Sequence, residues 1–143
     1  QEGKRLKKDL LDRAVYIEKL IEELEARAPE VVIEYKARLE SRIKDLLEQQ
    51  TIDEARLATE VAIFADKCSI DEEIVRLKSH INQLCDTLES SDPVGRKLDF
   101  LIQEMNREVN TIGSKANDLA ITKNVVEIKS EIEKLREQVQ NIE

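Results

Sequence analysis

The stretch VGRKLDFLIQEMNREVNTIGS, residues 94–114, decides how the rest of the chain is read. Leu98, Leu101, Ile102, Met105, Val109 and Ile112 recur at helical spacing and form the stripe of a buried helix face. Arg96, Asp99, Gln103, Asn106, Asn110 and Ser114 recur in a second, narrow sector when successive residues are placed about 100° apart. A solvated helix face is ordinarily filled with Glu and Lys. Asn is a poor interior helix former, because its side chain competes for the backbone. A line of amides with an aspartate, an arginine and a serine therefore costs helix stability. It makes sense where those groups meet something polar: a phosphate, a ribose, a metal-bound water or a partner's backbone.

The surrounding composition fits long helices. Charged residues are 38% of the 143, aromatics 3%, and there are only 3 Gly and 2 Pro, which argues against a β-rich or disulfide-stapled fold. Lys4 to Ala28 reads as one amphipathic helix. A second helix, or a kinked continuation, starts at Pro29 and runs to about Gln49. Asp53 reads as the cap of a helix over Glu54 to Lys67, and Ser69 with Glu72 has the spacing of a capping box for the next, which ends near Leu88. Glu89 to Gly95, rich in turn residues, is the clearest break. The polar-striped helix follows it, then a last helix from about Leu119 to Gln140, with Asn117 and Asp118 between them as end and cap. No strand signal or fixed-period repeat is present. The pattern predicts an all-α fold of long antiparallel helical hairpins forming an elongated bundle, with a projecting N-terminal helical arm. Residues 1–50 are expected to form the hairpin or kinked arm, and residues 51–143 the helical domain.

No apolar run is long enough to span a membrane or to serve as a signal peptide. Cys68 and Cys85, without a neighbouring cysteine, read as small core residues of a reducing compartment rather than a disulfide or a CxxC site. The net charge of −8 argues at face value against nucleic acid. The deficit is uneven: residues 1–50 carry net −1, residues 51–90 net −5 and residues 91–143 net −2. An acidic middle beside a polar stripe suits a divalent cation, although a solvated acidic face is the commoner meaning.

His80 is the only histidine, and Glu73 lies two turns before it on the same side of its helix, at the edge of the apolar face. Histidine with carboxylates is a plausible shell for Mn²⁺ or Mg²⁺, and histidine also serves as a general acid or base. The spacing is not a specific metal signature. Taken alone it favours a surface histidine beside an i,i+4 Glu72–Arg76 pair. Arg96 and Lys97 open the striped helix, where exposed N–H groups can receive phosphate or simply start the helix. Arg107, between Glu104 and Glu108, has an intrahelical ion pair as its default role. There is no nucleophile elbow, P-loop or dinucleotide-binding motif.

The stretch from Gly95 to Lys115 closely resembles the C-terminal signature of the bacterial YicC/YloC family. The ending from Glu131 to Glu143 does so too, and DEEIVRLKSH, residues 71–80, is similar to that family's middle motif. The start, residues 2–10, resembles the segment that follows its N-terminal domain, so the chain, which opens without Met, reads as the helical C-terminal half of a longer protein. The resemblance implies a metal-dependent endoribonuclease of the bacterial cytoplasm that cleaves single-stranded or structured RNA, by phosphodiester hydrolysis or transesterification. It also implies Mn²⁺ or Mg²⁺ as cofactor and a hexamer-like homo-oligomer around an RNA channel, with neither membrane nor DNA as a partner. Carried over by motif, Glu73, His80 and Asp99 are the expected metal or proton-transfer residues, with Arg107 beside them as catalytic. Arg96, Gln103, Asn106 and Asn110 are expected to hold RNA phosphates. The alternatives are an oligomerisation domain, with catalysis in the missing N-terminal half, and a non-catalytic helical adaptor. The isolated fragment is expected to be inactive.

Overall fold

In the computed structural model, which describes residues 2–90 and 95–142, every regular element is a helix: α1 Glu2–Leu47, α2 Glu54–Cys68, α3 Asp71–Glu89, α4 Gly95–Lys115 and α5 Leu119–Ile142. The expected break at Pro29 does not occur, and α1 is one helix of 46 residues. Proline removes the N–H that would meet the Glu25 carbonyl and crowds the preceding turn, at a cost of about 3 kcal/mol. Tertiary contacts on both sides offset that cost. Leu24 and Val31 are buried, and Ala28 packs on the core. Arg27 spans the proline, donating through Nη2 to Glu34 at 3.2 Å and through Nη1 to Glu30 at 3.1 Å. Its Nη2 and Nε also donate to Asp118, just before α5, at 2.8 and 3.1 Å.

α1 packs on α3 and α5, and so does α4, which makes a four-helix bundle with α1 and α4 on one diagonal. Side-chain contacts between the helices fix the directions. Glu25 meets Lys78 while Glu18 meets Cys85, and Arg13 meets Glu131 while Arg27 meets Asp118, so α1 runs antiparallel to both neighbours. Leu10, Ile17, Leu77, Leu84, Leu101, Met105, Ile128 and Leu135 fill the interior, each fully or nearly fully buried. A side chain of this size contributes about 1.5–3 kcal/mol on leaving water.

The first thirty residues therefore belong to the bundle instead of an arm. What extends past it is the remainder of α1, paired with α2. There Leu57 is buried and Tyr35 stacks on Phe64, with ring centroids 3.7 Å apart. Ile33 and Leu46 are left exposed. Asp53 caps α2 as expected, accepting from the Arg56 amide at 3.2 Å. The capping box of Ser69 and Glu72 does not form, because Ile70 occupies the cap position of α3 and offers no side-chain bond. Three acidic residues in the first turn, Asp71, Glu72 and Glu73, complement the helix dipole there. Part of the predicted break before Gly95, residues 91–94, lies outside the described residues. Both cysteines are free and half-buried. No described helix is long and apolar enough to cross a membrane.

Asp118 carries two duties. It caps α5, accepting from the Ile121 amide at 3.1 Å, and it receives Arg27. Asp118→Ala is expected to lower stability in urea unfolding by at least about 1 kcal/mol, the usual effect of losing a cap. The Arg27 hydrogen bond, aided by the Ile121 amide, holds the Asp118 carboxyl below its ordinary value of 3.8. That contribution is complete above the ordinary value and disappears as pH falls through the lowered one. The gap between wild type and variant should accordingly close in acid.

Candidate functional site

Along the edge between α3 and α4 the apolar packing gives way to polar groups. On α3, Glu73, His80 and Thr87 recur every seven residues, a spacing that drifts only about 20° per step and so draws one line down the helix. On antiparallel α4, Glu104, Glu108 and Lys115 face that line. The end nearest the start of α3 is fully paired. Glu73 is only 4% exposed, and a carboxylate so deep in the fold is costly unless neutralised. Lys115 Nζ donates to its two oxygens at 3.1 and 3.2 Å, and Arg76 Nη2 donates to it at 3.3 Å. Lys115 also donates to the Ser69 carbonyl at 3.1 Å, tying the end of α4 to the start of α3. Arg76 then reaches Glu108, donating from Nε to Oε1 at 3.0 Å. This bond is the main reason the Arg76 guanidinium is held protonated above its ordinary value. The Glu72–Arg76 pair anticipated from the sequence is present at 3.6 Å, but in water it contributes little.

One step further along the seam, the pairing stops. His80, Glu104 and Glu108 each place a ligand atom within 4.8 Å of the others. His80 Nδ1 is buried and has no hydrogen-bond partner. An unsatisfied buried polar atom costs roughly 1–3 kcal/mol. Arg76 engages only Oε1 of Glu108, so among the described residues the second oxygen is unclaimed. One imidazole nitrogen and two carboxylates form a donor set suited to Mn²⁺, and to Mg²⁺ with retained waters. The orphaned His80 nitrogen is the feature that a cation would satisfy.

The sequence-predicted residues divide into three groups. His80 lies in this cluster. Glu73 shares its line on α3 but is held by Arg76 and Lys115 and stands outside the cluster. Asp99 is outside it too, about 140° around α4 from Glu104 by helical geometry. Its charge acts instead on Arg136 of α5. Arg96, Gln103, Asn106, Arg107 and Asn110 are exposed and face outward. Arg107 makes no ion pair among the described residues, so its default intrahelical role is not the one adopted. Glu104 and Glu108, which complete the cluster, are not among the residues the sequence singles out. Their i,i+4 spacing on the flank of a buried stripe was the available signal, masked by their reading as partners for Arg107.

A helical bundle with a nitrogen-and-carboxylate cluster on one seam, beside an outward face of arginines and amides, defines a domain built to present polar chemistry from packed helices. Residues 24–143 match the family described as "Endoribonuclease YicC-like, C-terminal", and the chain belongs to that family. It is 58% identical, over its whole length, to a protein of Clostridioides difficile (strain 630) named "Probable endoribonuclease YicC", covering 49% of that protein. A protein of Haemophilus influenzae with the same name is 36% identical over the whole chain, again with 49% of its length covered. The chain thus spans about half the length of the curated relatives it matches.

The pairing of Glu73 predicts a structural role. Glu73→Gln keeps the shape but leaves Arg76 and Lys115 without their shared anion. Chemical denaturation should show a loss of roughly 1–3 kcal/mol. A variant as stable as wild type would mean that the seam does not depend on this carboxylate.

Proposed function

We propose that the chain is the C-terminal part of a metal-dependent bacterial endoribonuclease, with His80, Glu104 and Glu108 holding a divalent cation, Mn²⁺ or Mg²⁺. The observation that carries this reading is an imidazole nitrogen of His80 gathered with two carboxylates, on a histidine whose buried Nδ1 has no partner, in a chain of an endoribonuclease family. A cation bound there supplies stabilisation of the charge that develops on a phosphate during cleavage. Arg76 keeps Glu108 oriented through its Nε hydrogen bond. Arg107 and Arg96, exposed on α4, offer bidentate donors to RNA phosphates, and Gln103, Asn106 and Asn110 offer amide contacts on the neighbouring sector. Asp99 sits among these RNA-facing groups, away from the cation. Water or the RNA's own 2′-OH acts as nucleophile, and the product ends distinguish the two: 5′-phosphate for hydrolysis at that side, 2′,3′-cyclic phosphate for transesterification.

A second reading makes this half an oligomerisation domain. The arm favours it. Tyr35, Leu39, Ile43, Leu47, Ile52 and Leu57 line an open groove of about 410 Å³ between α1 and α2, with Leu46 exposed beside it. The two readings are compatible in a hexamer-like homo-oligomer of the bacterial cytoplasm in which this half carries both the arm and the cluster. The chain without its other half is then inactive.

In the full-length protein, Mn²⁺ is expected to raise the melting temperature of wild type and to do so much less for His80→Ala or Glu108→Gln, while Asp99→Asn keeps the wild-type response. The same His80→Ala protein, sized in parallel, should stay assembled and lose at least about a hundredfold in cleavage of a labelled RNA, the scale of losing a metal ligand or its support. Normal cleavage by His80→Ala moves the active site elsewhere. Loss of assembly supports the oligomerisation reading.

A further inference from the structure

Phe100 stands on α4 one turn before Glu104, with 57% of its surface in water. A lone exposed apolar side chain is ordinary, so its setting has to carry the argument. The other phenylalanine, Phe64, is stacked on Tyr35 in the arm, which leaves Phe100 as the one phenylalanine of the chain without an aromatic partner. Helical geometry puts Arg107 and Arg96 about 20–40° to one side of Phe100 around α4, and Glu104 about 40° to the other. Along the axis, Phe100 and Glu104 are about 6 Å apart.

The electrostatics of α4 point the same way. In a chain of net −8, α4 alone among the helices has more cationic than anionic side chains: Arg96, Lys97, Arg107 and Lys115 against Asp99, Glu104 and Glu108. Arg13, Arg27, Arg76 and Arg136 all form ion pairs inside the chain. Arg96 and Arg107 form none among the described residues, as is also true of Arg5, Arg38, Arg42 and Arg56 elsewhere, and Arg107 stays unpaired although Glu104 lies three positions before it on the helix. A protein partner would want a contiguous apolar patch around Phe100. Its exposed neighbours are arginine, lysine and glutamine instead. One aromatic ring among unpaired cations is the arrangement that recognises single-stranded nucleic acid, in which an unstacked base lies on the ring and the flanking phosphates meet the arginines.

We propose that Phe100 is a stacking platform for an unpaired RNA base beside the His80, Glu104 and Glu108 cluster, with Arg107 and Arg96 receiving the neighbouring phosphates. This assignment rests on the endoribonuclease reading and narrows it. Cleavage requires an unpaired nucleotide next to the cut, so single strands and loops are substrates and continuous duplexes are not. Base identity matters little, because every base offers a π-face.

The test uses the full-length protein with Phe100→Ala, Phe100→Leu and Phe100→Trp beside wild type. Binding to a labelled single-stranded oligoribonucleotide, and to the duplex of the same sequence, is measured in EDTA. Cleavage is measured in Mn²⁺, and assembly is checked by sizing. Phe100→Ala and Phe100→Leu should weaken single-strand binding by roughly 5- to 150-fold, the span expected for losing one stacked base. KM should rise by a similar factor with kcat little changed. Phe100→Trp should bind like wild type, and its added tryptophan emission, taken as the difference from wild type, should be quenched by the single strand. Wild-type binding by Phe100→Leu overturns stacking, because leucine keeps the apolar contact and loses the π-face. A change of assembly size in Phe100→Ala overturns it in favour of a subunit contact. If wild type cuts RNA and all three variants bind as wild type does, this inference alone falls. If wild type neither binds nor cuts RNA, the functional reading falls with it.

Discussion

The α3–α4 seam closes only because two buried carboxylates are neutralised from its rim. Glu73 and Glu108 are 4% and 6% exposed, and each would cost several kcal/mol if left charged and alone. Arg76 touches both, and Lys115 completes Glu73. Both cations keep part of their length in water while their heads reach inward, so the seam gains compensation without burying two more charges completely. The arrangement has a consequence for its other end. Arg76 meets one oxygen of Glu108, and among the described residues no other cation pairs with that carboxylate. Two buried side-chain atoms among the described residues are left without a partner, His80 Nδ1 on α3 and Asn124 Oδ1 on α5. His80 is the one of the two that belongs to a group of possible metal ligands, and functional demand on a structure is expected to appear where such a rule is broken.

The rest of the bundle supports that seam from behind. α1 lies diagonally opposite α4, and its ion pairs with α3 and α5 set how those helices present their edges. Pro29 is the weak point of α1, and Arg27, just before it, binds Glu30 and Glu34 after it together with the cap of α5. The same residues that carry α1 through its proline therefore position the α4–α5 connection, one residue group away from Lys115 and the paired end of the seam.

Much of this was legible in the sequence. The buried stripe of α4 was read residue for residue, because a helix with one apolar face fixes its inward positions by spacing alone. The caps at Asp53 and Asp118 followed from local chemistry that tertiary structure did not override. Pro29 misled, since the local penalty is real and only packing from distant helices outweighs it. The geometry around His80 was legible in part. His80 lies at the edge of the apolar face, as its spacing indicates, but the carboxylates that gather beside it come from another helix. Glu73 was chosen because it shares His80's face on α3, whereas the contact is made by Glu104 and Glu108 across the seam. Which residues of α4 face His80 depends on the rotation of α4 about its axis and on its register against α3, neither of which intrahelical spacing encodes. Asp99 lies away from that cluster for the same reason: it belongs to the polar sector that turns toward α5 and solvent.

Net charge bears on how the proposed RNA surface would work. A protein that relies on neutralising many phosphates displays a broad basic face, and its affinity collapses with salt. Here the chain is acidic, and α4 exceeds neutrality by a single charge. Electrostatic attraction alone is therefore a weak source of affinity on this half of the protein. The proposed site would add two other sources along α4 and its seam with α3. A divalent cation held by His80, Glu104 and Glu108 would attract phosphate at one point and not along a groove. An aromatic ring adds contact energy that salt does not screen. Both act locally, within about one helical turn of each other. Recognition of the proposed kind would select a single accessible phosphodiester with an unpaired base beside it. It would make the acidic balance of the chain an advantage, because long duplexes with their dense phosphate charge would gain little from the surrounding surface.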